Sequence, residues 1–210
     1  MNRSATAEAA LSRVARRKEK TRRVLLDVAL ALFHEKGIYW TKIEDITERA
    51  DIGKGTFYQY FESKEELLAE LLKQGLDQLL ACTIAAVESV APNVGLIRKI
   101  VEARLEFFVE RPEYLLLLHQ IRGFLQLQTE SSKELRRIYS AHLDCLGTLL
   151  QPALHAGEEA GSSARDLAVA LAAFTSGLLT YHLLFDDRDG FTRRRAALSR
   201  QIERGLLALI

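Results

Sequence analysis

The chain is expected to be all-α, on three observations. Leu, Ala, Glu and Arg dominate its composition, and all four favour helix. Three prolines and twelve glycines in 210 residues are too few for a β-rich or disordered chain. Apolar residues recur at spacings of three and four, with no run of strict alternation. Residues 1–18 read as a polar, basic tail without a cap, open to fraying. Over residues 20–36, Val24, Leu25, Val28, Ala29, Leu32 and Phe33 mark one amphipathic helix, and Gly37 ends it at the C′ position.

Residues 41–67, TKIEDITERADIGKGTFYQYFESKEEL, are the most informative stretch. Ile43, Ile46 and Ala50 give a short helix one apolar edge, and Thr41 with Glu44 reads as its capping box. Asp51-Ile-Gly53 supplies a turn in which the glycine can take a positive φ. Residues 54–60 then form about two helical turns. They present Lys54, Thr56, Tyr58, Gln59 and Tyr60 around little more than Phe57 and Phe61 as anchors. A helix with so much hydrogen-bonding equipment and so little burial is there to touch something. The pattern is a helix-turn-helix over residues 42–61, and its second helix is expected to enter the DNA major groove.

Ser63 and Glu66 make a second capping box, and the helix they open runs through Leu67, Leu68, Leu71, Leu72 and Leu76. Further helices are expected over 82–90, 96–110, 112–127 and 133–150. Ser163 and Asp166 open another, and a last one covers 192–210. Residues 167–185 hold no Asp, Glu, Lys or Arg, which is just long enough for a bilayer. Leu167, Leu171, Phe174, Leu178, Tyr181 and Phe185 nevertheless alternate spacings of four and three, the period of a packed seam. A buried helix is the expectation, and no membrane partner.

The net charge of +1 hides an asymmetry. Residues 1–64 hold thirteen Lys/Arg against nine Asp/Glu, and the remainder sixteen against nineteen, so +4 faces −3. Positive charge gathers where the helix-turn-helix lies, as a DNA-facing half requires. No apolar core of a signal peptide occurs before Arg23. Cys82 and Cys145 read as small buried hydrophobes in a reducing cytoplasm. No histidine pair falls at i,i+4, no glycine-rich phosphate loop is present, and His142 beside Cys145 lacks an oxyanion donor. Neither metal, cofactor nor enzymatic activity is therefore expected.

The run LLDVALALFHEKG, the spacing T-x-I-x-D-I and KGTFYQYFESKEEL together resemble the N-terminal domain of the tetracycline-repressor (TetR) family. The resemblance covers about the first third of the chain. It implies a three-helix DNA-binding domain over residues 19–79, followed by a helical ligand-binding and dimerisation domain over 80–210. At the start of the recognition helix, Lys54 suits guanine O6 or N7, Gly55 lets the backbone approach, and Gln59 suits adenine. Thr56 suits phosphate or a thymine methyl. Tyr58 and Tyr60 match aromatic positions that contact phosphate and base in the family. Thr41, Lys42 and Lys64, near helix N-termini, are candidate phosphate contacts, and Arg22 and Arg23 candidate backbone or minor-groove contacts. Trp40 either wedges against the sugar-phosphate or staples the helix after it.

The resemblance also implies a homodimer through the last two helices, using the 167–185 seam and Leu198, Ile202, Leu206 and Leu209. A two-fold dimer implies a palindromic operator on double-stranded DNA. A cavity for an unidentified small molecule is implied among Phe107, Phe108, Tyr114, His119, Arg122, Phe124, Tyr139 and His142. The expectation is a cytoplasmic, nucleoid-associated repressor released by an inducer. An activator, or a nucleoid or division factor on the same fold, stays open at this point.

Overall fold

The structure is a computed structural model that describes residues 3–88, 90, 94–154, 163–185 and 188–208. Among them the chain forms nine helices and no strand. These are α1 (Arg3–Lys36), α2 (Ile43–Arg49), α3 (Lys54–Phe57), α4 (Lys64–Val87), α5 (Val94–Glu110), α6 (Pro112–Leu125), α7 (Glu130–Leu154), α8 (Ala164–Phe185) and α9 (Arg188–Leu207). The chain divides into two compact units, Met1–Leu71 and Leu72–Ile210.

In the first unit, α1 is 34 residues long and takes in the stretch expected to be a tail. Its alanines, arginines and glutamates hold no breaker, so nothing in the sequence stops the helix short of Arg3. Leu25, Leu26, Ala29, Leu32 and Phe33 bury its apolar face. Gly37 ends it with φ 86°, its N–H donating to the Phe33 carbonyl at 3.1 Å.

The α2–α3 turn differs from expectation. Gly53 has an ordinary φ of −72°, whereas Asp51 takes the left-handed conformation at φ 52°. Asp51 N–H donates to the Glu48 carbonyl at 3.1 Å, and Ile52 N–H to the Thr47 carbonyl at 3.0 Å. That pair of bonds is a Schellman motif with aspartate at C′, a residue whose short polar side chain tolerates this conformation. The cap of α2 differs too. Lys42 is its N-cap and its N–H donates to Asp45 Oδ2 at 2.7 Å, so the back-reaching acid is Asp45, not Glu44.

In the second unit α8 is the central helix, packed against α5, α6, α7 and α9, and its partnership with α7 is the most extensive. Leu167, Ala168, Leu171, Ala172 and Leu179 are the buried apolar part of its surface. Ser163 and Asp166 cap it reciprocally: Asp166 N–H donates to Ser163 Oγ at 3.1 Å and Ser163 N–H to Asp166 Oδ2 at 3.2 Å. No separate helix forms over 82–90, because α4 continues to Val87 through a sequence without a breaker. The helix α7 likewise runs on past its expected end and contains Pro152. Both cysteines are exposed thiols rather than buried ones. Gly75 of α4 lies against the ring of Tyr114, where an added Cβ would come within 2.7 Å of Cε1. No described helix is long and apolar enough to cross a membrane.

Candidate nucleic-acid interface and ligand cavity

The recognition element is shorter than its sequence suggests. Four residues, Lys54–Phe57, are helical, and the chain then turns through bonds from Tyr60 and Phe61 N–H to the Phe57 carbonyl at 2.9 and 3.1 Å. Phe57 and Phe61 are fully buried and anchor it as expected. Lys54, Gly55 and Gln59 are exposed, Tyr58 is 49% exposed, and Thr56 and Tyr60 are half-buried. Nothing lies within 4 Å of a Cβ built on Gly55, so the backbone there is open to close approach. Lys42 is exposed at the start of α2.

Ion pairs set the electrostatics of this unit. Lys36 Nζ meets Asp45 Oδ2 at 2.7 Å, and Arg49 Nη1 meets Glu35 Oε1 at 2.6 Å, tying α2 to the end of α1. Lys54 Nζ is paired with the Glu44 carboxylate of α2. The hydrogen bond from Lys54 holds the Glu44 carboxyl below its ordinary range, and the same bond raises the ammonium of Lys54. Before Lys54 can serve a base or phosphate, that carboxylate must be exchanged for the new acceptor.

Three expected contacts have other work in the fold. Thr41 is wholly buried, and its hydroxyl donates to the Gly37 carbonyl at 2.7 Å, so its side chain cannot reach a phosphate. Lys64 turns inward: its ammonium donates to the Ile38 and Thr41 carbonyls, both at 2.9 Å. Arg22 pairs with Glu70 at 3.3 Å and lies over the Phe61 ring, 4.8 Å from its centroid. Arg23 remains exposed. Trp40 is no staple, because it stands out in solvent with Tyr39, their rings edge to face at 5.1 Å.

In the second unit a cavity of about 160 Å³ opens between α4, α5, α6, α7 and α8. It is lined by Leu76, Arg104, Leu118, Ile121, Arg122, Leu125, Tyr139, Ala172 and Ser176. Of the expected lining, Arg122 and Tyr139 are there. His142 lies behind it, with Nε2 3.2 Å from Arg104 Nη1. Phe107, Phe108 and Tyr114 instead pack with Leu72, Leu76 and Leu79 around a gap of about 10 Å³, too small for a ligand. His119 is exposed, and Phe124 is half-buried away from the lining.

Arg104 was not expected. It is 3% exposed, its Nε has no partner, and no carboxylate pairs with it among the described residues. Burial pushes its pKa down to about 10, so it is a cation at neutral pH. A guanidinium only donates, so His142 Nε2 accepts and the ring is neutral with its proton on Nδ1. Burial first, and then the adjacent Arg104, push the His142 pKa down to about 3. The signal was present in sequence: Ile100, Arg104 and Phe108 share one stripe at i, i+4 and i+8, a charge on an apolar face.

The expected dimer seam splits in two. Leu167, Leu171, Leu198, Ile202 and Leu206 are buried within the chain's own core, where α8 meets its neighbours, so they offer no face to a second copy. Phe174, Tyr181 and Phe185 are exposed, the last at 71%, with Leu184 beside them, and Leu178 is half-buried. Leu209 lies outside the described residues.

Helices capped as these are, with an open lysine and tyrosine on a stub of helix, form a helix-turn-helix in the first unit, and the second unit is helical. Residues 25–71 match the family described as bacterial regulatory proteins, tetR family. The matched residues lie wholly within the first unit. The chain is 41% identical over 81 residues to the HTH-type transcriptional repressor KstR2 of Mycobacterium tuberculosis, covering 39% of this chain and 40% of that protein. To the HTH-type transcriptional regulator RutR of Escherichia coli it is 30% identical over 119 residues, 56% of each. The chain thus spans about half or less of the curated relatives it matches. The fold as a whole resembles that of the transcriptional regulator FadR of Bacillus subtilis, solved with stearoyl-CoA, at TM-score 0.73 and 18% identity over 90% of this chain and 98% of that one. It also resembles the TetR family regulator PfmR of Thermus thermophilus, at TM-score 0.64 and 23% identity over 85% and 94%.

Proposed function

We propose that the protein is a transcriptional repressor that grips a palindromic operator as a homodimer and lets go when a small molecule occupies its second unit. Residues 19–79 act as the DNA-binding domain and 80–210 as the effector and dimerisation domain. The observation that carries the reading is the outward set of Lys54, Tyr58 and Gln59 on an element held only by buried Phe57 and Phe61. Lys54 and Gln59 suit base edges, and Tyr58, Thr56, Tyr60 and Lys42 suit base or backbone. KstR2 is named a repressor, which favours repression over activation. A DNA-binding role places the protein in the cytoplasm, at the nucleoid.

Dimerisation follows from the exposed apolar stripe of α8, in which Phe174, Leu178, Tyr181, Leu184 and Phe185 recur at helical spacing beside α9. Gly205 of α9 keeps that neighbourhood low, with Phe174 Cε2 3.8 Å from where its Cβ would stand. A two-fold dimer joined there implies half-sites about 34–36 Å apart, or a multiple. Release requires the effector to favour the DNA-incompetent state by about 1–3 kcal/mol. The test is to select genomic fragments with the purified protein and footprint them. An inverted repeat at promoters is the expected result. Scattered sites without two-fold symmetry would favour a chromosome-organising role, and no selection at all would end the reading. Lys54→Ala should relax preference at one base position. Equal loss on selected and random DNA would remove Lys54 from base readout.

A further inference from the structure

We infer that the cavity of the second unit takes a small apolar carboxylic acid as its carboxylate, with Arg104 as the counter-ion and Arg122 as a second donor. The inference rests on reading this unit as the effector domain and adds the chemical class of what enters it. Burying a guanidinium without an anion is unfavourable, and proteins that bury arginine pair it. Arg104 is buried with only a neutral imidazole against Nη1, and its Nε donates to nothing among the described residues. A neutral ligand would leave that charge uncompensated, and an amine would add a second one. A carboxylate supplies planar acceptors that match the guanidinium fork.

The rest of the lining agrees. Arg122 Nη2 donates to Ser176 Oγ at 2.8 Å, which leaves its other N–H groups free to turn to the same anion. Tyr139 lines the same space, and Leu76, Leu118, Ile121 and Leu125 give it apolar walls. At about 160 Å³ the cavity is close to the ~150 Å³ space known to admit benzene, so the body of the acid is a single ring or a short chain. An acyl thioester brings no anion to Arg104 from its acyl part. The free acid, not its thioester, is therefore the ligand.

The test is calorimetric titration of the full chain, without DNA, using phenylacetate and octanoate against phenylacetamide, octanamide and phenylacetyl-CoA. At least one acid should bind about tenfold or more tighter than its amide, the factor of one charge-assisted hydrogen bond. Arg104→Met should erase that preference while keeping the helical circular dichroism of the parent. Should that variant not fold, Arg122→Gln, at an exposed position, serves instead: the acid should weaken about threefold or more and the amide not change. Equal affinity for acid and amide, no acid binding at all, binding of the thioester in place of the acids, or a preference that survives Arg104→Met would each overturn the inference. Acid that binds without altering affinity for the selected genomic DNA would leave the carboxylate site standing and sink the effector reading alone.

Discussion

Acidification should destabilise the second unit well above the pH at which its carboxylates titrate, because of His142. The ring is 5% exposed, and its pKa falls from 6.5 to about 3 on folding. A group whose folded pKa is depressed is protonated first in the unfolded chain. Its contribution is therefore complete above pH 6.5 and is lost as pH falls towards 3, at up to about 1.4 kcal/mol per pH unit. From pH 7.5 to 5 the loss amounts to about 2 kcal/mol, a large share of a typical domain stability of roughly 5–15 kcal/mol. The acids whose pKa the fold lowers, such as Glu134 and Asp166, begin from 4.5 and 3.8 and so act below this window. Urea unfolding followed by far-ultraviolet circular dichroism at pH 7.5, 6.5, 5.7 and 5.0 measures the slope. His142→Gln is the control, since its amide oxygen can still accept from Arg104 but does not titrate. Wild type should fall by about 2 kcal/mol between pH 7.5 and 5.0, and the variant by a small fraction of that. Parallel curves for the two proteins would refute the reasoning.

Glu44→Gln should tighten binding to any DNA sequence and steepen the salt dependence by up to about one unit, because Lys54 is released from its carboxylate. Fluorescence anisotropy at several salt concentrations reads both, and unchanged or weaker binding counts against the pairing. Lys64→Met should lower the stability of the first unit by about 1.5–3 kcal/mol, since two buried-end carbonyls lose a charged donor. Its residual DNA affinity, measured where the variant is folded, should match the parent, and a uniform drop would restore Lys64 as a phosphate contact. Gly75→Ala should cost about 1–3 kcal/mol of stability, because a methyl meets the Tyr114 ring. Thermal melting with the double variant Gly75→Ala, Tyr114→Leu should recover part of it, and no recovery would place the strain elsewhere.

The helical class, the Gly37 stop, the buried Phe57 and Phe61 and the Ser163–Asp166 cap were legible because each depends on residues within one turn of each other. What was not legible involves competition among neighbours. Thr41 and Asp45 both stand where either could serve the start of α2, and only the carbonyl of Gly37, brought in by the preceding turn, decides that Thr41 faces inward. Asp51 and Gly53 could each have taken the positive φ, and the Schellman bonds fix it at Asp51. For Lys64, charge and helix position are legible, but not the inward carbonyls 23 and 26 residues earlier. Aromatic residues drew attention to Phe107, Phe108 and Tyr114, which fill their own space. Arg104, whose meaning depends on four other helices, passed unread.

Trp40 is the chain's only tryptophan, and it stands in solvent one residue before the buried Thr41. The first unit thus carries an intrinsic optical label that the second unit lacks altogether. Emission excited at the red edge of indole absorption therefore arises from the α1–α2 link alone, in an unmodified sample.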